Sequence, residues 1–182
     1  MIQTILRKDA QWTDRLRLDP SQKLWWRLAA FLAHSGDSWF WMIALGIIWL
    51  FTRDDWHNRA AMIGFGIVVL ALSVFGIKLL FKRRRPDGEW GAIYRNTDPH
   101  SFPSGHAARA ALLLVMAYGL GPPWFAGLML VWSPLIAISR VLTGVHYLSD
   151  IIAGMLLGIV AGWLILAMQA PIMRLFAIFF IT

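Results

Sequence analysis

Three side chains in this sequence have the types and spacing to move a phosphoryl group and a proton: His106, His146 and Asp150. His146 and Asp150 are four residues apart. On a helix that spacing puts both on one face, where the carboxylate accepts from one imidazole nitrogen and leaves the other free. An imidazole oriented in this way is a nucleophile or a base. His106 comes from another segment and suits a general acid, protonating a leaving oxygen while His146 attacks phosphorus.

Around these groups the sequence gathers cations beside apolar segments, where ionisable residues are costly and therefore point to function. Lys78, Arg85 and Arg140 offer ammonium and guanidinium donors, and guanidinium groups match phosphate oxygens in a bidentate way. Ser104, Gly105 and His106 stand at an expected helix start, where unpaired N–H groups and the positive end of the helix dipole favour a phosphate. Gly105 lets that backbone come close. The Ser104 hydroxyl either donates to a phosphate oxygen or caps the helix, and the two roles are compatible. Arg109, one turn further on, either reaches the substrate headgroup or extends to the interface.

The elements that must position these groups are membrane helices. Of 182 residues, 58% are hydrophobic and 11 are Trp, far more apolar than a soluble domain of this length. Residues 1–34 mix apolar and basic side chains, with Pro20 interrupting the pattern, and read as one or two amphipathic helices in the interface. They lack the continuous apolar core of a secretory signal and read as mature chain. Five spans are expected, at about 39–51, 60–81, 104–120, 124–142 and 151–168. The first is short, and the tail, 169–182, is too short to cross alone and either extends the last helix past Pro171 or lies on the surface. Pro86 is expected to stop the second span after the basic run, and Pro134 to kink the fourth. Alternate crossings bring 78–85, 104–106 and 140–150 to one membrane face. The fold class is therefore an all-α integral membrane bundle, in a single domain over 1–182. Residues 87–104 form its one long polar loop, a candidate for function.

Three stretches together carry a resemblance: Lys78 with six residues to Arg85-Pro86, then "PSGH" at 103–106, then Ser139-Arg140 with five residues to His146 and three more to Asp150. This pattern resembles the three-part signature of the type 2 phosphatidic acid phosphatase superfamily, which also contains the vanadium haloperoxidases. Every position of the signature matches, in order and spacing, over residues 78–150. The resemblance implies a metal-independent phosphatase in which His146 becomes transiently phosphorylated, Asp150 orients it and His106 protonates the leaving group, before water hydrolyses the phosphohistidine. Lys78, Arg85, Ser104, Gly105 and Arg140 would hold the phosphoryl oxygens. The run "HSFPSGHAAR" is further similar to the subgroup acting on polyisoprenoid diphosphates. Many membrane members have six spans, against the five counted here, and the amphipathic N-terminus stands where a sixth, their first, would lie.

Other features read more plainly. His34, His57 and His100 are expected to be structural and outside the cluster. Lys82, Arg83 and Arg84 either bind a second phosphate or, as is usual for a basic run at a membrane edge, serve as headgroup contacts and a topology signal, and the tryptophans read as interfacial belts. Asp37, Asp54, Asp55, Asp87, Glu89 and Asp98 lie on separate loops, so no carboxylate cluster suggests a metal, and no cofactor is expected. With no Cys, thiolate chemistry is excluded. The net charge of +7 lies next to apolar segments and suits lipid headgroups better than nucleic acid. The expected partners are the bilayer and a lipid phosphate: phosphatidic acid, phosphatidylglycerol phosphate or a polyprenyl mono- or diphosphate. A lipid phosphotransferase and a non-catalytic lipid-binding protein are the rival readings. The family commonly places its site on the non-cytoplasmic face of a plasma or inner membrane, and that orientation is expected here. The basic N-terminus alone points the other way.

Overall fold

The computed structural model of the protein describes residues 2–19, 21–87 and 98–181. Pro20, Glu89 and most of the expected polar loop thus lie outside the described residues. Among the described residues eight α-helices follow one another: α1 (Ile2–Leu16), α2 (Lys23–Ser35), α3 (Ser38–Phe51), α4 (Asp55–Phe81), α5 (Gly105–Leu120), α6 (Pro123–Leu142), α7 (Leu148–Ala167) and α8 (Gln169–Leu175), with a 3₁₀ turn at Ala177–Phe179. The protein is an all-α membrane bundle. Helices α4, α6 and α7 are long and apolar enough to cross a membrane, and α3 and α5 are shorter apolar helices.

The five expected spans match α3 to α7, with differences at the ends. Helix α4 starts earlier than its apolar run because Asp54 caps it, accepting from Trp56 N at 2.9 Å. It also ends at Phe81, five residues before Pro86. Lys82 adopts the left-handed conformation (φ 46°) and donates its N–H to Lys78 O, so the backbone turns before proline is reached. The tail continues as a short surface helix without buried residues, then returns to the bundle. There Trp49 Nε1 donates to Phe179 O (2.8 Å), and Asn58 exchanges two hydrogen bonds with Ile181.

Helix α5 is the centre of the bundle, buried along most of its length. It packs closely against α7, because Gly158 presents no side chain to it: a Cβ there would overlap the carbonyl oxygen of Ala108, a backbone atom unable to move aside. Small residues at such contacts let membrane helices approach to backbone distance. Gly158→Ala should therefore destabilise the bundle by about 1–3 kcal/mol or more, the usual range for overpacking. A lowered thermal midpoint in detergent would show it, and an unchanged midpoint would mean that the α5–α7 contact can open at no cost.

Candidate active site

Each signature segment reaches the site through a local device. At the end of α6, Thr143 N donates to Ser139 O, and Gly144 takes φ 68°, a left-handed position that suits glycine. The chain then folds back so that Val145 N and His146 N both donate to Arg140 O, at 3.1 and 3.2 Å. Arg140 and His146 are thereby locked side by side. Helix α7 begins only at Leu148, so His146 precedes it and does not share a helical face with Asp150 as expected. The carboxylate reaches back instead: Asp150 Oδ2 accepts from Tyr147 N at 2.9 Å and lies 3.6 Å from His146 Nδ1. That second distance is too long for a hydrogen bond, so the carboxylate stands beside the imidazole without the direct bond that the sequence led us to expect.

Helix α5 begins at Gly105 with Ser104 as its N-cap, the Ser104 hydroxyl accepting from Ala107 N. Ser104 N donates to Asp150 O at 3.0 Å, joining the starts of α5 and α7. Beyond Lys82, Arg83 O accepts from Ser101 N (2.8 Å) in a short antiparallel pairing, and Arg85 turns inward.

Lys78, Arg85, Gly105, His106, Arg109, Arg140 and His146 line one cavity of about 580 Å³. Ser104 and Asp150 are fully buried behind that lining. Arg85 Nη1 donates to Val145 O (3.0 Å) and to His146 Nε2 (3.1 Å). A guanidinium has no acceptor, so Nε2 carries the lone pair and the imidazole is neutral. Burial, and then the charges of Arg85, Arg140 and Lys78, hold the proton affinity of His146 well below the ordinary histidine range. The ring stays a free base at neutral pH.

Several side chains assigned plain roles in the sequence prove to belong to this site. Asp98 ion-pairs with both Lys78 and Arg85 (2.8 Å to Arg85 Nη2), and it lines the cavity together with His100, whose carbonyl accepts from Lys78 Nζ at 2.9 Å. Burial works to raise the Asp98 carboxyl, but the bond and charge of Lys78, with Arg85, outweigh it and keep the carboxyl below its usual value. Asp37, at the N-cap of α3, makes no capping bond, and its Oδ1 accepts from His106 Nε2 at 2.6 Å. Arg83 is not a headgroup contact. It donates to Asp150 Oδ1 (2.8 Å), Asp9 Oδ2 (2.7 Å) and Ser149 Oγ (2.7 Å), and lies over the Tyr147 ring. Asp9 and Thr13 of α1 also accept from Ser149 N and Leu148 N, so the amphipathic helix caps α7. Nor does Arg109 extend to the interface: it is buried and donates to Gly36 O and Ser38 Oγ. His57, by contrast, is structural as expected, with Nδ1 donating to Trp49 O at 2.8 Å. In the sequence Asp37 was only one of several acidic residues on separate loops, with no local signal linking it to His106.

The far side of the cavity is apolar, walled by Ile67, Leu70, Val74, Phe75 and Leu79 of α4 and by Trp39 of α3. Trp39, Phe75 and Leu79 are also exposed on the outer surface. The site therefore joins a cationic end to an apolar flank that reaches the lipid-facing surface of the bundle.

A family model described as the PAP2 superfamily matches residues 59–174. Decaprenylphosphoryl-5-phosphoribose phosphatase of Mycobacterium tuberculosis is 38% identical over 141 residues, covering 72% of this chain and 73% of that protein. Undecaprenyl-diphosphatase of Sulfolobus acidocaldarius is 30% identical over 135 residues, 72% of this chain and 64% of that one. The crystal structure of a transmembrane PAP2-type phosphatidylglycerolphosphate phosphatase from Bacillus subtilis superimposes with a TM-score of 0.75 at 24% identity, covering 93% of this chain and 88% of the other.

Proposed function

Because the chain belongs to the PAP2 superfamily of type 2 phosphatidic acid phosphatases, we propose that it hydrolyses the phosphate or diphosphate of a membrane lipid through a phosphohistidine on His146. The observation that carries this reading is the state of His146: a buried neutral imidazole whose Nε2 lone pair faces guanidinium donors, at the cationic end of a cavity with an apolar flank. Two of the proteins named above act, by their names, on polyprenyl-linked phosphates and the third on phosphatidylglycerolphosphate, which agrees with a substrate that is part phosphate and part hydrocarbon. In this reading the phosphate takes the cationic end while the chains lie along α3 and α4 in the bilayer.

The steps follow from the donors. Phosphate oxygens replace Asp98 at Lys78 and Arg85, where a carboxylate already occupies the position an anion would take. Arg85 exchanges its bond to Nε2 for one to a phosphoryl oxygen, which frees the lone pair. The Nε2–P bond then forms as the bond from phosphorus to the leaving oxygen breaks, with His106 supplying the proton. Asp150, which Arg83 and Tyr147 N hold in place, faces the positive charge that develops on His146. Arg140 and the start of α5 stabilise the equatorial oxygens. Water attacks the phosphohistidine in the second step, returns a proton to His106 and releases inorganic phosphate.

The test is phosphate release by the purified protein in detergent with EDTA, across phosphatidic acid, phosphatidylglycerol phosphate, and polyprenyl mono- and diphosphates. Release without any added acceptor is expected for at least one of them. Transfer to an added lipid hydroxyl with no release of phosphate would make the protein a phosphotransferase.

A further inference from the structure

The α2–α3 turn carries a carboxylate that the family signature does not include. Asp37 accepts from His106 Nε2 through Oδ1 (2.6 Å) and from His34 Nδ1 through Oδ2 (3.2 Å), so each oxygen is held by a different imidazole. The turn itself is clamped from the same helix that bears His106. Arg109, three residues further along α5, donates to Gly36 O on one side of Asp37 and to Ser38 Oγ on the other. Burial works to raise the Asp37 carboxyl, but the hydrogen bond and charge of His106, with a weaker contribution from His34, outweigh it and hold the carboxyl at about 2. It is ionised whenever the protein is folded near neutral pH.

We propose that Asp37 is a positioning residue for the general acid: by holding Nε2 it turns Nδ1 of His106 toward the leaving oxygen, and by its charge it balances the imidazolium that donates the proton. The inference rests on the reading of His106 as that acid. A protonated imidazole beside Arg109 and Arg140 needs a counter-charge, and Asp37 is the carboxylate in hydrogen-bond contact with it. With Nε2 committed, the transferable proton is the one on Nδ1. It passes to the ester oxygen as the P–O bond breaks, and the electron pair of that bond stays on the same oxygen. Helix α2 and the turn after it would thus complete the acid half of the site.

The experiment compares leaving groups. A lipid alkyl phosphate must be protonated as it leaves, whereas p-nitrophenolate leaves without help. Asp37→Ala should lower kcat/KM roughly 100-fold for the lipid phosphate and less than about threefold for p-nitrophenyl phosphate, within the range that general acid catalysis contributes. Asp37→Asn keeps an acceptor oxygen but loses the charge, and should fall between Asp37→Ala and wild type. Its retained fold keeps the test alive if the alanine variant is unstable. His106→Ala, measured alongside, should show the same dependence on leaving group more strongly. If both Asp37 variants lose the two substrates equally while His106→Ala discriminates between them, Asp37 is only structural and the inference fails. If His106→Ala does not discriminate, His106 is not the acid and the underlying reading fails first.

Discussion

His146→Ala is expected to stop phosphate release from every lipid phosphate the wild-type protein hydrolyses, by roughly 10⁴-fold or more, the scale seen when a covalent nucleophile is removed. The cations around it cannot take its place, because Lys78, Arg85 and Arg140 are donors without a lone pair while charged, and Asp150 is buried behind the cavity lining. The fold should survive. The imidazole's hydrogen bond comes from Arg85, which keeps Val145 O and Asp98 as partners, and the turn is held by backbone bonds to Arg140 O. Two readouts belong together. Brief mixing with a lipid carrying labelled phosphate should leave an acid-labile, alkali-stable phosphoprotein in the wild type and none in the variant. A monodisperse His146→Ala protein that still released phosphate at the wild-type rate would end the phosphohistidine mechanism.

How far such a site can be read from sequence depends on how far apart in the chain its partners lie. The spans were legible because an apolar helix writes itself in consecutive residues, and α3 and α5 to α7 agree with the expected ranges to within a few positions. Lys78, Arg85, His106, Arg140, His146 and Asp150 were legible because fixed spacings mark them. Asp37 was not, since its partner is 69 residues away and a lone Asp in a short turn carries no spacing that points to it. Asp98 was hidden in the same way, 20 residues from Lys78 within a polar loop. Arg83 failed for a different reason. In a run of four basic residues nothing in the residue types separates a headgroup contact from a buried ion pair. The left-handed backbone at Lys82 decides it, turning Arg83 toward Asp150 and Asp9. The same turn explains why helix α1 docks: its Asp9 and Thr13 find Arg83 and the open N–H groups of α7, a match that an amphipathic pattern alone does not display.

Arg85→Lys separates charge from shape at the centre of the site, and it should cost about 10²–10³-fold in kcat/KM, comparable to the loss of an oxyanion-hole donor. The substitution keeps the positive charge, so a site that needed only electrostatic attraction would barely notice it. Arg85 does more than attract. Its planar fork spans Asp98 O through Nε (2.7 Å), Asp98 Oδ2 through Nη2 (2.8 Å), and Val145 O and His146 Nε2 through Nη1. An ammonium cannot reproduce those directions at once. Lysine would leave the Val145 and Asp98 carbonyls short of a donor, so thermal stability in detergent must be measured beside activity, and a modest fall is expected. The informative quantity is where the kinetic loss appears. If the fork stabilises the equatorial oxygens as the phosphoryl group passes to His146, kcat falls while KM changes little, because the lost contact strengthens in the transition state. A rise in KM at constant kcat would make Arg85 a ground-state anchor. Activity within threefold of wild type would show that charge alone suffices at this position, and that the fork is not what makes this site a phosphoryl site.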